Sequence, residues 1–231
     1  MNDIEAIATR HSVRSYTQET IPADIRRSLD EEIERCNREG GLDIKGIYDE
    51  PEAFSSAMAH YGSFRNVRNY LVLAGKPSPD LEERCGYYGE RLVLLAQRLG
   101  LNSCWVALTY KKRAVRKIID ADQKLCVVIA LGYGKTNGKP RKSKMASQVS
   151  SVPNHTTAPA WFSAGVDAAL LAPTAMNQQS FSLALVDACA DRAVVELTSK
   201  GGPYSSVDKG IVRLHFEIGA RSENGSFTWK R

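Results

Sequence analysis

Two arginines flank a histidine and a serine in the segment Arg10-His11-Ser12-Val13-Arg14. A guanidinium presents a rigid fork of N–H donors that matches phosphate oxygens, and a serine hydroxyl adds another donor. If the segment is extended, Arg10, Ser12 and Arg14 face one side, because side chains two residues apart share a side. The pattern is compatible with an anion site, although a solvated turn explains the spacing equally simply.

A second polar group lies in the segment 172–181, APTAMNQQSF. Its amides at 177–179 can donate and accept hydrogen bonds at once, which suits the edge of a heterocycle that carries carbonyls and ring N–H groups. Because Pro173 ends a predicted helix, a polar helix-to-strand loop is the alternative.

Two further segments are weaker candidates. The segment 100–108, GLNSCWVAL, places Trp105 between an apolar helix and a basic one, where a core role is the alternative. The run 139–144, KPRKSK, offers Lys142 and Lys144 as cations for a phosphate, and a solvated face is the alternative there.

Several common kinds of site have no pattern in the chain. We find no Ser/His/Asp order, paired-carboxylate motif or G-x-G-x-x-G, and LGYGKTNGK lacks the spacing of a phosphate-binding P-loop. The 5 cysteines form no C-x-x-C pair and the 4 histidines have no ligand spacing. We therefore expect no metal, no catalytic side chain and reduced, mostly buried thiols.

Composition predicts a soluble globular protein. The chain has 231 residues, is 43% hydrophobic and 25% charged, and carries a net charge of +5. No apolar run approaches the roughly 20 residues that span a bilayer, and the N-terminus lacks a secretory h-region, so we expect a cytoplasmic protein without a membrane partner. The basic runs lack interleaved aromatic residues, which argues against nucleic acid.

Apolar periodicity predicts the elements that must position these residues. Residues 42–66 are expected to be irregular and 135–158 a long connection. Helices are expected at 4–9, from 21–22 to the Gly40-Gly41 stop, and at 85–101, 111–120, 161–172 and 206–220; strands are expected at 69–75, 125–134 and 180–187, with a loop or short strand at 102–108.

The chain contains one internal echo. The segment 92–95 with Gly100 resembles the segment 211–214 with Gly219, at a constant offset of 119. Chance similarity between two apolar helices is one explanation. The other is a partial duplication, which predicts two similar half-units packed about a pseudo-twofold axis.

Taken together and in this order, these segments resemble the FMN-dependent nitroreductase family. Its members have R-[RH]-S-[VIT]-[RK] near the N-terminus, A-P-[ST]-x-x-N-x-Q-[PS]-[WF], a G-L-x-[ST]-x-W segment, and a strand ending in L-G-[YH] before a basic run. In ordinary members the proline element follows the first motif by a few tens of residues, and a homodimer completes the FMN site. Here it lies in the second half of the chain, as in the internally duplicated Thermotoga-type branch.

The resemblance implies an α+β nitroreductase-like fold, with a central, mainly antiparallel sheet flanked by helices. Two fused half-units, 1–150 and 151–231, would form a pseudo-dimer in one chain with one FMN. The resemblance also implies a set of cofactor-binding residues. Those for the phosphate and ribityl chain are Arg10, His11, Ser12, Arg14, Lys142 and Lys144; those along the flavin ring are Trp105, Val106, Ala107, Pro173, Thr174, Ala175 and Asn177, with Gln179 behind them.

The implied activity is electron transfer from NADH or NADPH through FMN to a small-molecule acceptor, such as a nitro compound or quinone, by a ping-pong mechanism. The flavin N5 would carry the chemistry, and the chain would be a monomer or a weak homodimer. Two alternatives stay open: a dehalogenating or flavin-fragmenting relative with a lid at 42–66, and a flavin-binding redox sensor or store without turnover.

Overall fold

The computed structural model describes residues 1–56, 59, 61–153, 157–187 and 193–230. Cys189 and His155 lie outside these ranges. In the described part, the helices are α1 (Asp3–Thr9), α2 (Ala23–Gly40), α3 (Leu81–Arg98), α4 (Lys112–Arg116), α5 (Ala146–Val149), α6 (Ala160–Leu170) and α7 (Ser205–Ser222). The strands are β1 (Asp43–Ile47), β2 (Asn69–Gly75), β3 (Asn102–Val106), β4 (Lys124–Gly132), β5 (Ser150–Ser151), β6 (Phe181–Asp187), β7 (Val194–Ser199) and β8 (Thr228–Trp229).

The strands form two four-stranded sheets. The first has the order β1-β2-β4-β3, and each of its neighbouring pairs is antiparallel. The second has the order β5-β6-β7-β8, with an antiparallel central pair and parallel outer pairs. Every residue of β2 is buried, which explains why this strand is a continuous apolar run rather than an alternating one.

The expectation that residues 42–66 are irregular is wrong in part. The strand β1 pairs with β2 along its whole length, from Asp43 with Ala74 to Ile47 with Tyr70. Only Ile44 of this edge strand is buried, so its sequence carries little of the alternating pattern that marks a strand. The strands β7 and β8 are likewise absent from the expected elements, and α3 begins at Leu81, four residues earlier than expected.

The two long helices α3 and α7 cross in direct contact. A Cβ atom at Gly86 would lie 2.0 Å from the Val207 carbonyl oxygen, and one at Gly210 would lie 1.9 Å from the Glu83 carbonyl oxygen. The two contacts are reciprocal, as across a twofold axis. The contacts join Gly86 to Val207 and Gly210 to Glu83. If a twofold axis related the two helices, Gly86 would correspond to Gly210, and that correspondence differs from the 119-residue offset of the sequence echo.

One apolar core extends across the predicted division at residue 150. It joins the inner faces of both sheets, for example Leu71 of β2 and Leu183 of β6, through the two crossing helices. The division into half-units remains a prediction, and the two sheets share this core. Among the described residues, no helix is long and apolar enough to cross a bilayer.

Candidate functional site

A cavity of about 130 Å³ lies where the N-terminal segment, β3, the loop after α6 and the first turns of α7 meet. Its walls come from both sides of residue 150. The lining residues are Ser12, Arg14, Trp105, Val106, Ala107, Val127, Pro173, Thr174, Ala175, Met176, Tyr204, Val207, Asp208 and Ile211.

The N-terminal segment reaches the cavity because it runs extended beside β3. Ser12 forms a parallel bridge with Ser103, and the Val13 N–H donates to the Ser103 carbonyl at 3.0 Å. The Val13 side chain is buried in the apolar cluster on the other side of the first sheet. Ser12 and Arg14 therefore face the cavity together, as side-chain alternation predicts.

Arg10 lies deeper than its neighbours. Its residue is 1% exposed, and its Nε lies 3.8 Å from Glu90 Oε1. Nε, Nη1 and Nη2 are all buried, and none has a hydrogen-bond partner in the described part of the chain. Burial lowers the pKa of Arg10, and the Glu90 carboxylate opposes that shift. Buried donors without acceptors carry a free-energy penalty, and a bound anion would remove it by accepting their hydrogen bonds.

Glu90 is the centre of a buried polar network. Its carboxylate accepts a hydrogen bond from Trp105 Nε1 at 2.8 Å and lies 2.8 Å from His215 Nε2. The other ring nitrogen, His215 Nδ1, faces the Ala168 carbonyl at 3.0 Å and must donate to it. The Glu90 carboxylate thus contacts an indole and an imidazole, and it faces the Arg10 guanidinium at 3.8 Å.

Arg141 and His11 extend this cationic region toward the surface. Arg141 Nε is buried and has no hydrogen-bond partner among the described residues. Burial, together with the nearby Arg10, lowers the pKa of Arg141 to about 10. The pKa of His11 is also lowered, by partial burial first and then by Arg10 and Arg141. An anion between these two guanidinium groups would offset their repulsion. Arg141 is absent from the sequence-predicted set.

The loop after α6 is held in an uncommon backbone conformation. Met176, Asn177 and Gln179 have φ values of 53°, 53° and 47°, in the left-handed region that side chains disfavour. Gln179, which is 2% exposed, donates from Nε2 to the Leu170 carbonyl at 2.7 Å and accepts from the Lys144 N–H at 2.8 Å. These bonds hold the strained loop in place.

Lys142 and Lys144 form hydrogen bonds with this loop and do not line the cavity. The Lys142 carbonyl accepts from Asn177 Nδ2 at 2.8 Å, and Lys144 Nζ donates to the Gln179 carbonyl at 2.9 Å. Neither lysine, nor Asn177 or Gln179, is among the residues that line the cavity in the described structure. Of the basic run, the side chain that lies beside Arg10 is Arg141.

Asp208 is the cavity residue that sequence reasoning missed. Both of its carboxylate oxygens lie 3.0 Å from the Ala175 N–H, which donates to them. Burial raises the pKa of Asp208 to about 6, and the Ala175 hydrogen bond opposes the shift. The positions 204, 207, 208 and 211 follow one helical stripe, so a carboxylate within an otherwise apolar stripe was the available signal.

Eight of the predicted site residues thus meet in one cavity, and they come from three separate segments: Ser12, Arg14, Trp105, Val106, Ala107, Pro173, Thr174 and Ala175. Arg10 and His11 lie in the cationic region with Arg141. Lys142, Lys144, Asn177 and Gln179 form the adjoining hydrogen-bonded loop.

Solved structures share this architecture. A "putative nitroreductase" from Thermotoga maritima superposes with a TM-score of 0.67 at 22% identity, covering 100% of this chain and 90% of its own. A "putative nitroreductase" in complex with FMN from Desulfovibrio desulfuricans gives a TM-score of 0.54 at 16% identity, covering 69% of this chain and 99% of its own. A "putative NADH dehydrogenase/NAD(P)H nitroreductase" from Parabacteroides distasonis gives 0.50 at 20% identity, with coverage of 64% and 97%. We found no match among curated protein sequences.

The fold is therefore the nitroreductase fold, an α+β arrangement with an antiparallel sheet flanked by helices, as the motifs predicted. The family model described as "Putative TM nitroreductase" matches residues 2–220. The chain belongs to that family, which confirms the Thermotoga-type branch inferred from the displaced proline element.

Proposed function

We propose that this protein is a flavin oxidoreductase that binds one FMN per chain and passes electrons from NADH or NADPH to small acceptors such as nitro compounds and quinones. The observation that carries the proposal is the cavity itself, which unites the segments 12–14, 105–107 and 173–175 although they are far apart in the chain. The FMN complex of the Desulfovibrio structure supports the choice of cofactor.

The cationic region fits the phosphate of FMN. Within the described part of the chain, Arg10 has three buried nitrogens without a partner, and Arg141 has one. Arg10 lies close enough to Arg141 to lower the pKa of Arg141, and a phosphate between them would offset this repulsion. Charge-assisted bonds to guanidinium groups are among the strongest in proteins. Arg10 and Arg141 would hold the phosphate, and Ser12 and Arg14 on the cavity wall would hold the adjoining polar chain.

The cavity wall fits the flavin ring. Trp105, Val106, Ala107 and Pro173 give it apolar surfaces, and Trp105 is fixed by its hydrogen bond to Glu90. The volume of about 130 Å³ is below the roughly 300–1,000 Å³ of typical ligand sites. The present arrangement would enclose only part of the ring, and the exposed Met176 lies at the cavity edge.

Bound FMN would supply hydride transfer between the nicotinamide donor and the acceptor in a ping-pong sequence. The chain's own task is to place both molecules in turn in one partly apolar cavity and to provide protons. Asp208 is the group suited to provide them, since the pKa of this cavity-lining carboxyl is about 6. Arg14 and Tyr204 are the other titratable groups on the cavity wall.

The binding proposal is tested by titrating the purified apoprotein with FMN and following flavin fluorescence. We expect saturation at one FMN per chain, and the paired change Ser12→Ala with Arg14→Gln should weaken binding by about tenfold or more, because two polar contacts are lost. Arg38→Gln, an exposed change on α2, is the matched control. Saturation at two FMN per chain, or no uptake of FMN, would contradict the proposal.

The catalytic proposal needs a separate measurement. Reduction of the bound flavin by NADH or NADPH under argon, followed by reoxidation with a nitroaromatic or a quinone, would establish turnover. Reoxidation should quicken as the pH falls from 8 to 6 in the wild type and lose that dependence in Asp208→Asn. A flavin that binds but is not reduced by either nicotinamide would instead indicate a flavin store or sensor.

A further inference from the structure

Two cysteines far apart in the chain lie close together where α3 packs against the start of β4. Cys85 is buried in the second turn of α3, and Cys126 lies near the start of β4. The same two elements are joined by the ion pair between Glu82 Oε1 and Lys124 Nζ, at 2.7 Å. Glu82 lies one helical turn before Cys85, and Lys124 lies two residues before Cys126. The two thiols lie near enough for each to change the pKa of the other.

The backbone at Cys126 is a β-bulge. Val127 pairs with Leu73 and Leu125 pairs with Ala74, so Cys126 has no partner residue on β2. Pairing of β4 with β3 begins only at Val128. A bulge places an extra residue in one strand and redirects its side chain. This local irregularity brings the Cys126 thiol to Cys85 while leaving it half-buried.

Cys126 is also reachable from outside. It lines a cavity of about 370 Å³ whose other walls are Tyr110, Leu125 and the cationic side chains of α4. Lys112, Arg113 and Arg116 are exposed on that helix, so the entrance carries a local positive potential. Such a potential attracts small anions and raises their rate of encounter by about tenfold or more.

The electrostatic surroundings favour a thiolate at Cys126. Its pKa is lowered chiefly by the neighbouring Cys85 thiol, with help from Lys124 and Arg84, against burial and the Glu82 carboxylate. The pKa of Cys85 is raised by the same neighbour and by burial. The pKa of Cys36 is raised to about 12 by burial, and burial also raises that of Cys104. Cys126 is thus the most nucleophilic of the four described thiols.

We propose that Cys126 and Cys85 form a redox-active dithiol, which small disulfides bearing carboxylates oxidise through the cationic cavity beside α4. Cys126 is the attacking thiol and Cys85 the resolving thiol. The site is separate from the cavity assigned to FMN and does not depend on that assignment, because the two cavities share no lining residue in the described structure.

The exchange balances without any other reactant. The Cys126 thiolate attacks one sulfur of the disulfide, forming a mixed disulfide and releasing the first small thiolate. Cys85 Sγ then attacks Cys126 Sγ, forming the bond between the two protein sulfurs and releasing the second small thiolate. The proton that Cys126 releases to solvent when it ionises, and the proton that Cys85 loses as it attacks, are taken up by the two departing thiolates. Two electrons move from the protein to the small disulfide, which leaves as two thiols.

The test uses glutathione disulfide as an acidic probe and cystamine as a cationic one, on the full chain with Cys189→Ser as background. After reaction with glutathione disulfide, peptide mapping should show a Cys85–Cys126 disulfide and no retained glutathione. Cys85→Ser should retain one glutathione on Cys126, and Cys126→Ser should retain none. Cys36→Ser, a buried thiol outside the pair, is the matched control and should react as the background chain does.

Comparing the acidic and the cationic disulfide tests whether the positive charge of the cavity guides the reactant to Cys126. Replacing Lys112, Arg113 and Arg116 together by Gln should slow the reaction with glutathione disulfide by about tenfold at low salt, and should not slow the reaction with cystamine. Circular dichroism checks that each variant folds, and Cys85→Ala replaces Cys85→Ser if the buried hydroxyl unfolds the chain. The proposal is overturned if Cys126→Ser is oxidised as fast as the background, or if the adduct maps to Cys36 or Cys104.

Discussion

The buried carboxylate of Glu90 makes polar contacts with three other side chains. It accepts a hydrogen bond from Trp105, lies 2.8 Å from His215 Nε2 and faces the Arg10 guanidinium, while its side chain has 0% exposure. The network joins α3, α7, β3 and the N-terminal segment, and it fixes the indole that forms part of the cavity wall. Its role is to position Trp105 and to balance the charge of Arg10.

Glu90→Gln is expected to destabilise the fold by about 3–5 kcal/mol, because it removes one partner of a buried ion pair and leaves Arg10 uncompensated. Urea unfolding at pH 7 measures the difference. Glu82→Gln, on the same helix, is the control: its pair with Lys124 is largely exposed, so its loss should cost about 1 kcal/mol or less. Equal effects for the two changes would contradict the role assigned to Glu90.

Asp208 gives the stability a specific pH dependence. Burial raises the pKa of its carboxyl from the usual 3.8 to about 6, so the folded chain binds this proton more tightly than the unfolded chain does. The contribution to stability is therefore fully present below about pH 4 and falls as the pH rises through 6.

Asp208→Asn removes that titration while keeping an oxygen that can accept from the Ala175 N–H. We expect the variant to gain about 1–2 kcal/mol over the wild type at pH 8 and to lose the advantage at pH 4. Thermal unfolding across this range measures it. Asp24→Asn, an exposed carboxylate in the first turn of α2, should show no such gain.

At the scale of elements, the crossing of α3 and α7 sets the geometry of the molecule. The two helices approach backbone to backbone at Gly86 and Gly210, which no larger residue allows. The contact fixes how the start of α7, with Asp208, lies against the cavity formed by the first sheet.

Gly86→Ala is expected to destabilise the fold by about 3 kcal/mol or more, since the added Cβ would lie 2.0 Å from the Val207 carbonyl oxygen. The sign of this change in stability is informative, because in an ordinary helix alanine is more favourable than glycine by about 1 kcal/mol. Gly210→Ala should behave alike. At Gly100 a Cβ would meet nothing within 4 Å, so Gly100→Ala should lose only the stability that the strain of a positive φ removes from a non-glycine residue. Stabilisation by Gly86→Ala in chemical unfolding would refute the close crossing.

Much of this arrangement follows from local sequence. Side-chain alternation predicts that Ser12 and Arg14 share a face, and the apolar runs predict α3, β2 and β4. Local sequence does not reveal the depth of Arg10, because its buried partner Glu90 lies 80 positions later and gives no pattern near it. Asp208 was missed for a similar reason, because its raised pKa depends on burial by distant elements and its hydrogen bond comes from the distant Ala175 N–H. The edge strand β1 was missed because only one of its residues is buried.

At the scale of the whole molecule, the two sheets are joined rather than merely adjacent. The main apolar core contains residues of both sheets and of both crossing helices. The Glu90 network adds a polar link across the same boundary, from His215 to Arg10. A chain divided at residue 150 would expose both the core and the network, so neither half-unit has a complete interior of its own.

We therefore expect the chain to unfold in one transition. Urea unfolding followed by tryptophan fluorescence and by far-ultraviolet circular dichroism should give coincident curves. Trp105 in the first sheet, and Trp161 and Trp229 in the second half, report on both parts. The fragments 1–150 and 151–231, expressed separately, should lack cooperative unfolding, and mixing them should restore part of it. Two separated transitions in the intact chain would show that the halves fold independently. In that case the shared core contributes little to stability, and the cavity between the segments 12–14 and 173–175 would depend on the docking of two autonomous units.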